Sequence, residues 1–423
     1  MAGHGFLRWR SGLLWLWWLT LSLSIAAERP PRLPAPTLPP TLRMGVFTLF
    51  QLRSVQLHTH ERPTPLRLDG RTVELHPRTT YRVARTADGL GVWHAGGLLT
   101  ATTRLTVTAD DVTVEAAGRK TRIERRFRGT LTITPVDDRL QLVVTLPLET
   151  ATASVVSAEL PPDAPVEAGK ALAVVVRSYL VAQVGRHQRE GFDVCDSTHC
   201  QLFLGEQWVR RGAAGEADGA LSELGKTAAE KTAGEVLRTT DGGLYPAYFA
   251  ACCGGRTTTP ETAFGNSLKP HTGGGVPCEW CKGSRFYVWT RQVDRMTLAK
   301  ALLPDAAATD DVRIEVAGRS PDGFVTSVSV AAGARQISLP NHHFRHIVGR
   351  RLGWNLVLSS RYTIESQGER VVIEGRGFGH HVGLCLAGAL AQAHAGHDYR
   401  AILKYYFPKA TCGNQRPLST PSR

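Results

Sequence analysis

The chain has 423 residues, of which 42% are hydrophobic and 21% are charged, so it is long enough for two or three globular domains. Its formal net charge of +13 favours an anionic or neutral partner over a cationic one. This composition excludes a disordered tail, a collagen-like chain and a polytopic membrane protein.

Residues 1–26 are typical of a secretory signal peptide. Arg8 and Arg10 precede an apolar run that ends at Ile25, and Ala26 lies at a small-residue cleavage site. The alternative is a transmembrane anchor, for which the run is short. We therefore expect an exported chain, with no transmembrane segment in its mature form and an extracytoplasmic location in the periplasm, cell wall or medium. Disulfides are permitted in these compartments.

A linker and a β-rich region are predicted next. Residues 27–43 are rich in proline and are predicted to form an extended linker. Residues 44–142 contain short alternating runs separated by turn signals, which predict a β-rich N-terminal region. The predicted strands are Met44–Phe50, Val55–His58, Thr72–His76, Thr80–Ala84, Arg104–Thr108, Val112–Glu115, Thr130–Thr134 and Leu140–Leu146.

Helices and strands follow each other irregularly in the rest of the chain. A helix is predicted over 150–160, and an apolar, buried helix over 166–184. Residues 220–237 and 383–406 are also predicted to be largely helical. Strands are predicted at 286–293, 312–317, 324–330, 355–364 and 370–375. Since no βαβ repeat occurs, this order predicts an α+β fold.

Four sequence blocks contain the polar residues that could act in catalysis, substrate binding or metal binding. In chain order they are Leu146-Pro-Leu-Glu to Ala158-Glu159-Leu160-Pro161, continuing to Arg177-Ser-Tyr179; His187 to Cys195, His199 and Cys200; Tyr248-Phe-Ala-Ala-Cys252-Cys253-Gly-Gly; and Gly375-Arg-Gly-Phe-Gly379-His380-His381-Val-Gly383. Each block alone is a weak signal, but the series is specific.

Together these blocks resemble the SpoIID/LytB family, which comprises stage II sporulation protein D and the amidase enhancers. The resemblance covers residues 143–410, a mixed α+β SpoIID-like domain, and leaves 411–423 as a C-terminal tail. It implies a protein directed at peptidoglycan. The function implied is either that of a lytic transglycosylase cleaving glycan strands or that of a noncatalytic wall-binding module that enhances an N-acetylmuramoyl-L-alanine amidase. A nucleic-acid partner is not expected.

Glu159 is the residue to which the resemblance assigns general acid–base catalysis, because it matches the Glu of the family's A-E-x-P segment. Cleavage of a glycosidic bond needs a proton on the departing oxygen. Apolar neighbours such as Val155 and Val156 raise the pKa of a carboxyl towards neutrality. The alternative is a structural carboxylate paired with Arg177, a cation inside an apolar helix that needs a partner.

A substrate-binding group is also predicted, consisting of Arg177, Tyr179, Gly379, His380 and Gly383. For Arg177 we expect a structural or orienting role rather than a catalytic one. The glycines let the backbone approach a ligand closely. His380 falls on a histidine of the family pattern, and the alternative is a packed structural histidine at a tight turn.

The second block is compatible with a structural zinc site. His187, Cys195, His199 and Cys200 lie within fourteen residues and offer thiolate and imidazole ligands. The resemblance also implies zinc in this region, and the candidate ligands are His187, Cys195 and Cys200. A Cys195–Cys200 disulfide and free buried thiols are the alternatives.

Four further cysteines form a second group. Cys278 and Cys281 have C-x2-C spacing, and Cys252 and Cys253 lie upstream. This spacing is compatible with a second metal site or with disulfides to distant partners, and disulfides are favoured over redox catalysis.

The chain departs from the family pattern at three places. Ala151 stands where tyrosine is common, Leu386 stands where glutamine is usual, and Phe249-Ala250-Ala251 lacks a His-Ser pair. These changes remove polar groups from the expected glycan groove, which keeps the enhancer function open beside the favoured transglycosylase. A serine hydrolase or zinc peptidase has no support, because G-x-S-x-G and H-E-x-x-H are both missing.

Overall fold

The computed structural model describes residues 38–414, apart from 69–70, 118–120, 213–214, 266–274 and 308–310. The predicted signal peptide and most of the predicted linker lie outside these residues. Strand residues (42%) outnumber helical residues (23%), so the predicted α+β class holds in a strand-rich form. No helix within the described ranges is long and apolar enough to cross a membrane.

The first part of the described chain is β-structure, as the alternating pattern predicted. Its strands are β1 (Thr41–Val46), β2 (Ser54–Thr59), β3 (Thr64–Leu68), β4 (Arg71–Leu75), β5 (Thr80–Thr86), β6 (Gly89–His94), β7 (Gly97–Thr102), β8 (Leu105–Ala117), β9 (Thr121–Val136) and β10 (Arg139–Pro147). Alternate residues of β10, including Leu140, Leu142, Val144 and Leu146, are buried on one face. Two short strands predicted within 104–115 are one long strand, β8.

The largest sheet contains strands from both predicted regions. Strands β11 (Val194–Cys195), β12 (Gln207–Gly212) and β13 (Ala217–Ala220) come later in the chain. The sheet order is β11-β1-β10-β9-β8-β2-β5-β6-β7, with β12 on β9 and β3 on β8. Because β1 pairs with β10 on one side and with β11 on the other, the sheet crosses the predicted boundary between residues 142 and 143.

A buried helix lies at the centre of the SpoIID-like part. The helices and strands around it are α1 (Leu148–Glu159), α2 (Val166–Ala182), α3 (Glu223–Lys231), β14 (Glu235–Arg238), and, near the end of the chain, β22 (Leu384–Cys385), α7 (Leu386–His394), α8 (Tyr399–Tyr406) and β23 (Thr411–Asn414). Helix α2 is apolar on nearly all sides and contacts α1, α3, α7, α8 and β14.

Two predictions in this part were wrong. The helix predicted over 220–237 ends at Lys231, and Glu235–Arg238 forms strand β14 instead, because Val236 and Leu237 are buried where β14 pairs with β23. For the same reason, the predicted C-terminal tail begins with a strand at Thr411–Asn414.

The chain between the third and the fourth sequence block forms a second hydrophobic core. It is built by β16 (Trp289–Asp294), α5 (Arg295–Leu302), β17 (Val312–Arg319), β18 (Val325–Ala332), β19 (Arg335–Pro340), α6 (Asn341–Leu352), β20 (Arg361–Gln367) and β21 (Arg370–Arg376), preceded by β15 (Phe249–Ala250) and α4 (Pro260–Phe264). The strand predicted over 355–364 begins only at Arg361.

A buried carboxylate fixes the loop after β1 to the rest of the fold. Asp196 accepts hydrogen bonds from the Phe47 backbone N–H at 2.6 Å and from the Arg125 guanidinium at 2.5 Å. Both side chains of the ion pair are almost completely buried. The backbone of Phe47 is in the left-handed region, with φ of 58°, so these bonds hold a strained residue in place.

Replacing Asp196 with alanine should therefore destabilise the protein strongly. The change leaves the Arg125 cation buried without a counter-charge, which costs about 3–5 kcal/mol of unfolding free energy. The measurement is urea unfolding followed by tryptophan fluorescence. The matched control is Asp138→Ala, which breaks an exposed pair with Arg53 and should cost far less unfolding free energy, because solvent screens exposed pairs. Equal losses in the two variants would contradict this interpretation.

Candidate functional site

Glu159 is the last residue of α1, and its side chain is partly buried. Val155 and Val156, one turn earlier, are fully buried, and Leu160 ends the helix in an extended conformation. Burial raises the pKa of Glu159 to about 7. Within the described residues, its carboxyl has no hydrogen-bond donor or cation. A carboxyl of this kind can give and accept a proton near neutral pH.

Arg177 has a different partner from the one considered in the sequence. Its guanidinium, completely buried in α2, donates to both carboxylate oxygens of Glu149, with Nε 2.9 Å from Oε1. It also donates to the backbone carbonyls of Ala229 at 3.1 Å and Glu235 at 3.0 Å. The proposed pairing with Glu159 was wrong. With no exposed surface and its donors occupied, Arg177 holds α1, α2, α3 and β14 together, which favours the structural interpretation over substrate contact.

The predicted metal ligands do converge in the structure. The ligand atoms of His187, Cys195, His199 and Cys200, here called the His/Cys cluster, all lie within 4.8 Å of one another. His187 Nε2 is 3.4 Å from Cys200 Sγ, and His199 Nδ1 is 3.6 Å from Cys195 Sγ. Both cysteines are free thiols rather than a disulfide. Glu190 binds the other ring nitrogen of His187, the arrangement that orients an imidazole ligand towards a metal.

A series of contacts leads from the His/Cys cluster to the glycine-rich block. Arg186 lies 3.3 Å from Nε2 of His199 and donates to the hydroxyl of Tyr179 at 3.3 Å. The Tyr179 ring is 5.3 Å from that of Tyr248, which is 5.9 Å from the ring of His380. The structure therefore brings Tyr179 and His380 into one group. In the described part of the chain, no hydrogen bond or ring contact joins Glu159 to it.

Backbone geometry accounts for the two predicted glycines. Gly379 and Gly383 have φ angles of 104° and 77°, which side chains with a Cβ rarely adopt. A Cβ at Gly383 would also overlap the carbonyl oxygen of Tyr248. Glycine is therefore needed at Gly383 for the turn and for packing against Tyr248, whether or not a ligand binds there.

His380 forms part of the wall of a small aromatic pocket, the His380 pocket. The pocket has a volume of about 190 Å³ and includes Phe264, Arg345 and Trp354. Burial, together with the charge of Arg345, lowers the pKa of His380 to about 4. Its Nδ1 accepts a hydrogen bond from the Val382 N–H at 3.0 Å, so the ring is neutral with its proton on Nε2.

The sequence did not predict the residues that connect this group. Tyr248 opens the third block and Arg186 directly precedes His187, but neither belongs to a motif with a chemical role. Arg345 lies on α6, far from every block, and within the described residues it has no carboxylate partner. Only the tertiary structure places these residues beside Tyr179 and His380.

The fold and site define a strand-rich α+β protein with a buried, protonatable carboxyl and a thiol–imidazole cluster. A family model described as stage II sporulation protein matches residues 136–238, the stretch that contains α1, α2 and the His/Cys cluster. This match confirms the resemblance to the SpoIID/LytB family that the motifs indicated, over this part of the chain.

Three curated relatives share part of the sequence. An uncharacterized protein of Brachyspira hyodysenteriae is 29% identical over 66% of this chain and 70% of its own length. The stage II sporulation protein D of Bacillus amyloliquefaciens is 26% identical over 63% of this chain and 74% of its own. The amidase enhancer of Bacillus subtilis is 24% identical over 61% of this chain, but the match spans only 39% of that protein.

The raised pKa of Glu159 predicts how stability depends on pH. The folded chain keeps this carboxyl protonated up to about pH 7, whereas an ordinary glutamate ionises near 4.5. The folded state then binds more protons between these values, so stability falls as pH rises through them. Relative to Glu159→Gln, the wild type should lose about 3 kcal/mol between pH 4.5 and pH 8.

Urea unfolding of both proteins at several pH values measures this difference. The control is Glu223→Gln, an exposed glutamate at the start of α3, which should keep the pH dependence of the wild type. The same pH dependence in Glu159→Gln and the wild type would show that Glu159 ionises normally.

Proposed function

We propose that this chain is an exported, peptidoglycan-directed lytic transglycosylase with Glu159 as its general acid and base. The observation that carries the proposal is the environment of Glu159, a half-buried carboxyl without a cation partner and with a pKa of about 7. The similarity to a stage II sporulation protein D supports the choice of glycan strands as substrate. The positive net charge of the chain is suited to the anionic polymers of the cell wall.

Glu159 would act twice in the proposed reaction. First, its protonated carboxyl donates a proton to the bridging oxygen of a β-1,4 glycosidic bond, and the C1–O bond breaks as oxocarbenium character develops on the muramic ring. The resulting carboxylate then accepts the proton of the ring's own 6-hydroxyl as O6 attacks C1. The products are a 1,6-anhydro sugar and a new chain end, and the glutamate is protonated again.

Both steps depend on the raised pKa of Glu159, which results from its burial. A carboxyl with a pKa near 7 is present in both protonation states at neutral pH, so it is an effective acid and an effective base. The cyclising hydroxyl belongs to the substrate, so the reaction needs no activated water and no second catalytic carboxylate.

For substrate binding, we propose the His380 pocket. Aromatic rings from Phe264 and Trp354 offer flat apolar surfaces, and the neutral His380 ring adds a further flat face. Arg345 adds positive charge for an acidic substituent of the glycan. Tyr179 belongs to this proposal as the residue that positions Tyr248 beside His380.

A zinc ion in the His/Cys cluster is also part of the proposal. The four side chains offer two thiolates and two imidazoles, a donor set that suits tetrahedral zinc. Its role would be structural, because it would hold the loop from His187 to Cys200 against β1 and Arg186. Replacement of Cys195 and Cys200 by serine should remove one equivalent of zinc.

A noncatalytic function as an amidase enhancer is the second candidate. One observation favours it: a cavity of about 440 Å³ beside α1 is lined by Glu149 and Glu206 but not by Glu159. The similarity to an amidase enhancer supplies the partner, a cell-wall amidase. In this case the chain would bind the wall, and Glu159 would be dispensable.

Digestion of purified peptidoglycan distinguishes the two functions. Intact glycan and glycan stripped of stem peptides are treated with wild type, Glu159→Gln and the control Glu223→Gln. We expect 1,6-anhydro-muramic ends, detected by mass spectrometry, from the wild type and the control, and at least about 100-fold fewer from Glu159→Gln. Because the acid must be protonated, activity should decline above about pH 7.

The binding measurement completes the test. All three proteins should sediment with insoluble peptidoglycan, because the substitution leaves the His380 pocket intact. If the wild type sediments with the wall but releases no anhydro ends from either substrate, the transglycosylase proposal fails. Stimulation of an added amidase by wild type and Glu159→Gln alike would then establish the enhancer function.

A further inference from the structure

Four fully buried cysteines meet at one point on the side of the molecule that carries the glycine-rich block. The sulfurs of Cys253, Cys278, Cys281 and Cys385, here called the tetrathiol cluster, all lie within 4.8 Å of one another. They come from three separate segments. Cys253 follows β15, the C-x2-C pair precedes β16, and Cys385 is the last residue of β22, directly before α7.

The geometry of the tetrathiol cluster differs from that of two disulfides. A disulfide brings two sulfurs to about 2.05 Å, whereas the Cys253 and Cys281 sulfurs are 3.6 Å apart. Four thiolates around zinc at about 2.3 Å have sulfurs about 3.8 Å apart, if they are tetrahedral. All eight cysteines of the chain are free thiols in the structure. The distance therefore fits one shared ion better than two covalent pairs.

Two of the sulfurs have polar groups at hydrogen-bond distance, and such contacts favour the thiolate form of a cysteine. The backbone N–H of Cys253 donates to Cys385 Sγ at 3.2 Å, and the hydroxyl of Tyr406 lies 3.2 Å from Cys278 Sγ. Donors of this kind stabilise a negatively charged sulfur. Four thiolates without a cation would repel one another in a buried site, so these contacts imply an ion between them.

Cys252 lies next to the tetrathiol cluster but is not one of the four sulfurs. Its thiol lies near those of Cys281 and Cys385. Its backbone pairs with Phe378, which donates to the Cys252 carbonyl at 2.8 Å. The cluster is thereby connected directly to the segment that leads into His380.

We propose that Cys253, Cys278, Cys281 and Cys385 bind a structural zinc ion as four thiolates. The ion is distinct from any metal in the His/Cys cluster, and its proposed presence does not depend on the proposed glycan activity. It joins the loop after β15, the loop before β16 and the start of α7. These segments support the His380 pocket, because Cys252 pairs with Phe378 and because β22, which leads into α7, follows Gly383 directly. Of the two alternatives that the sequence left open for Cys253, Cys278 and Cys281, this proposal takes the metal site rather than disulfides.

The experiment measures metal content of the full chain, purified under reducing conditions, by inductively coupled plasma mass spectrometry. We expect Cys278→Ser/Cys281→Ser to contain one equivalent of zinc less than the wild type. The matched control is Cys412→Ser, because Cys412 lies outside both clusters and contacts Glu235. Both Cys412→Ser and Cys252→Ser should keep the zinc content of the wild type.

A second measurement does not depend on the folding of the Cys278→Ser/Cys281→Ser variant. Cys195→Ser/Cys200→Ser leaves only the tetrathiol cluster, and cobalt added to its metal-free form should give the intense absorption of a four-thiolate tetrahedral site. A metal-free chain whose mass is lower by the four hydrogens lost in two disulfides would overturn the proposal. Iron in place of zinc at these sulfurs would contradict the assignment of the ion.

Discussion

The buried ion pair between Arg177 and Glu149 is the interaction on which the SpoIID-like part of the fold depends. An arginine without any exposed surface is stable only if its charge and its donors are all satisfied. Glu149 supplies the charge, and carbonyls from α3 and the β14 strand supply the remaining acceptors. Because the partners belong to four elements, the requirements of one side chain fix the positions of α1, α2, α3 and β14 together.

The two glutamates of α1 lie in different environments. Glu149, at the start of the helix, forms the ion pair with Arg177. Glu159, at the end of the same helix, is left against Val155 and Val156 without a cation in the described structure, and burial favours its neutral form. One helix thereby presents a structural carboxylate at one end and a protonatable carboxyl at the other. The proposed chemistry follows from this separation.

The sequence predicted the local elements well, because alternating and helical patterns depend on nearby residues. The sequence-based predictions failed for residues whose structure depends on a partner far away in the chain. Strand β14 was predicted as helix because its pairing strand, β23, lies near the end of the chain. The partner of Arg177 was not predictable, since Glu149 and Glu159 are both carboxylates on the preceding helix. Cys385 was left out of the second cysteine group because 132 positions separate it from Cys253.

The proposed chemistry requires Glu159 to titrate near neutrality in the folded protein, and a carboxyl titration measures this. Carbon-13 NMR of protein labelled at the glutamate side-chain carboxyls would be recorded from pH 3 to pH 9 for the wild type and Glu159→Gln. We predict one signal with a midpoint near pH 7 that is missing from the variant. If the signal that disappears in Glu159→Gln instead titrates below pH 5, Glu159 is an ordinary carboxylate and the proposed catalytic role is contradicted.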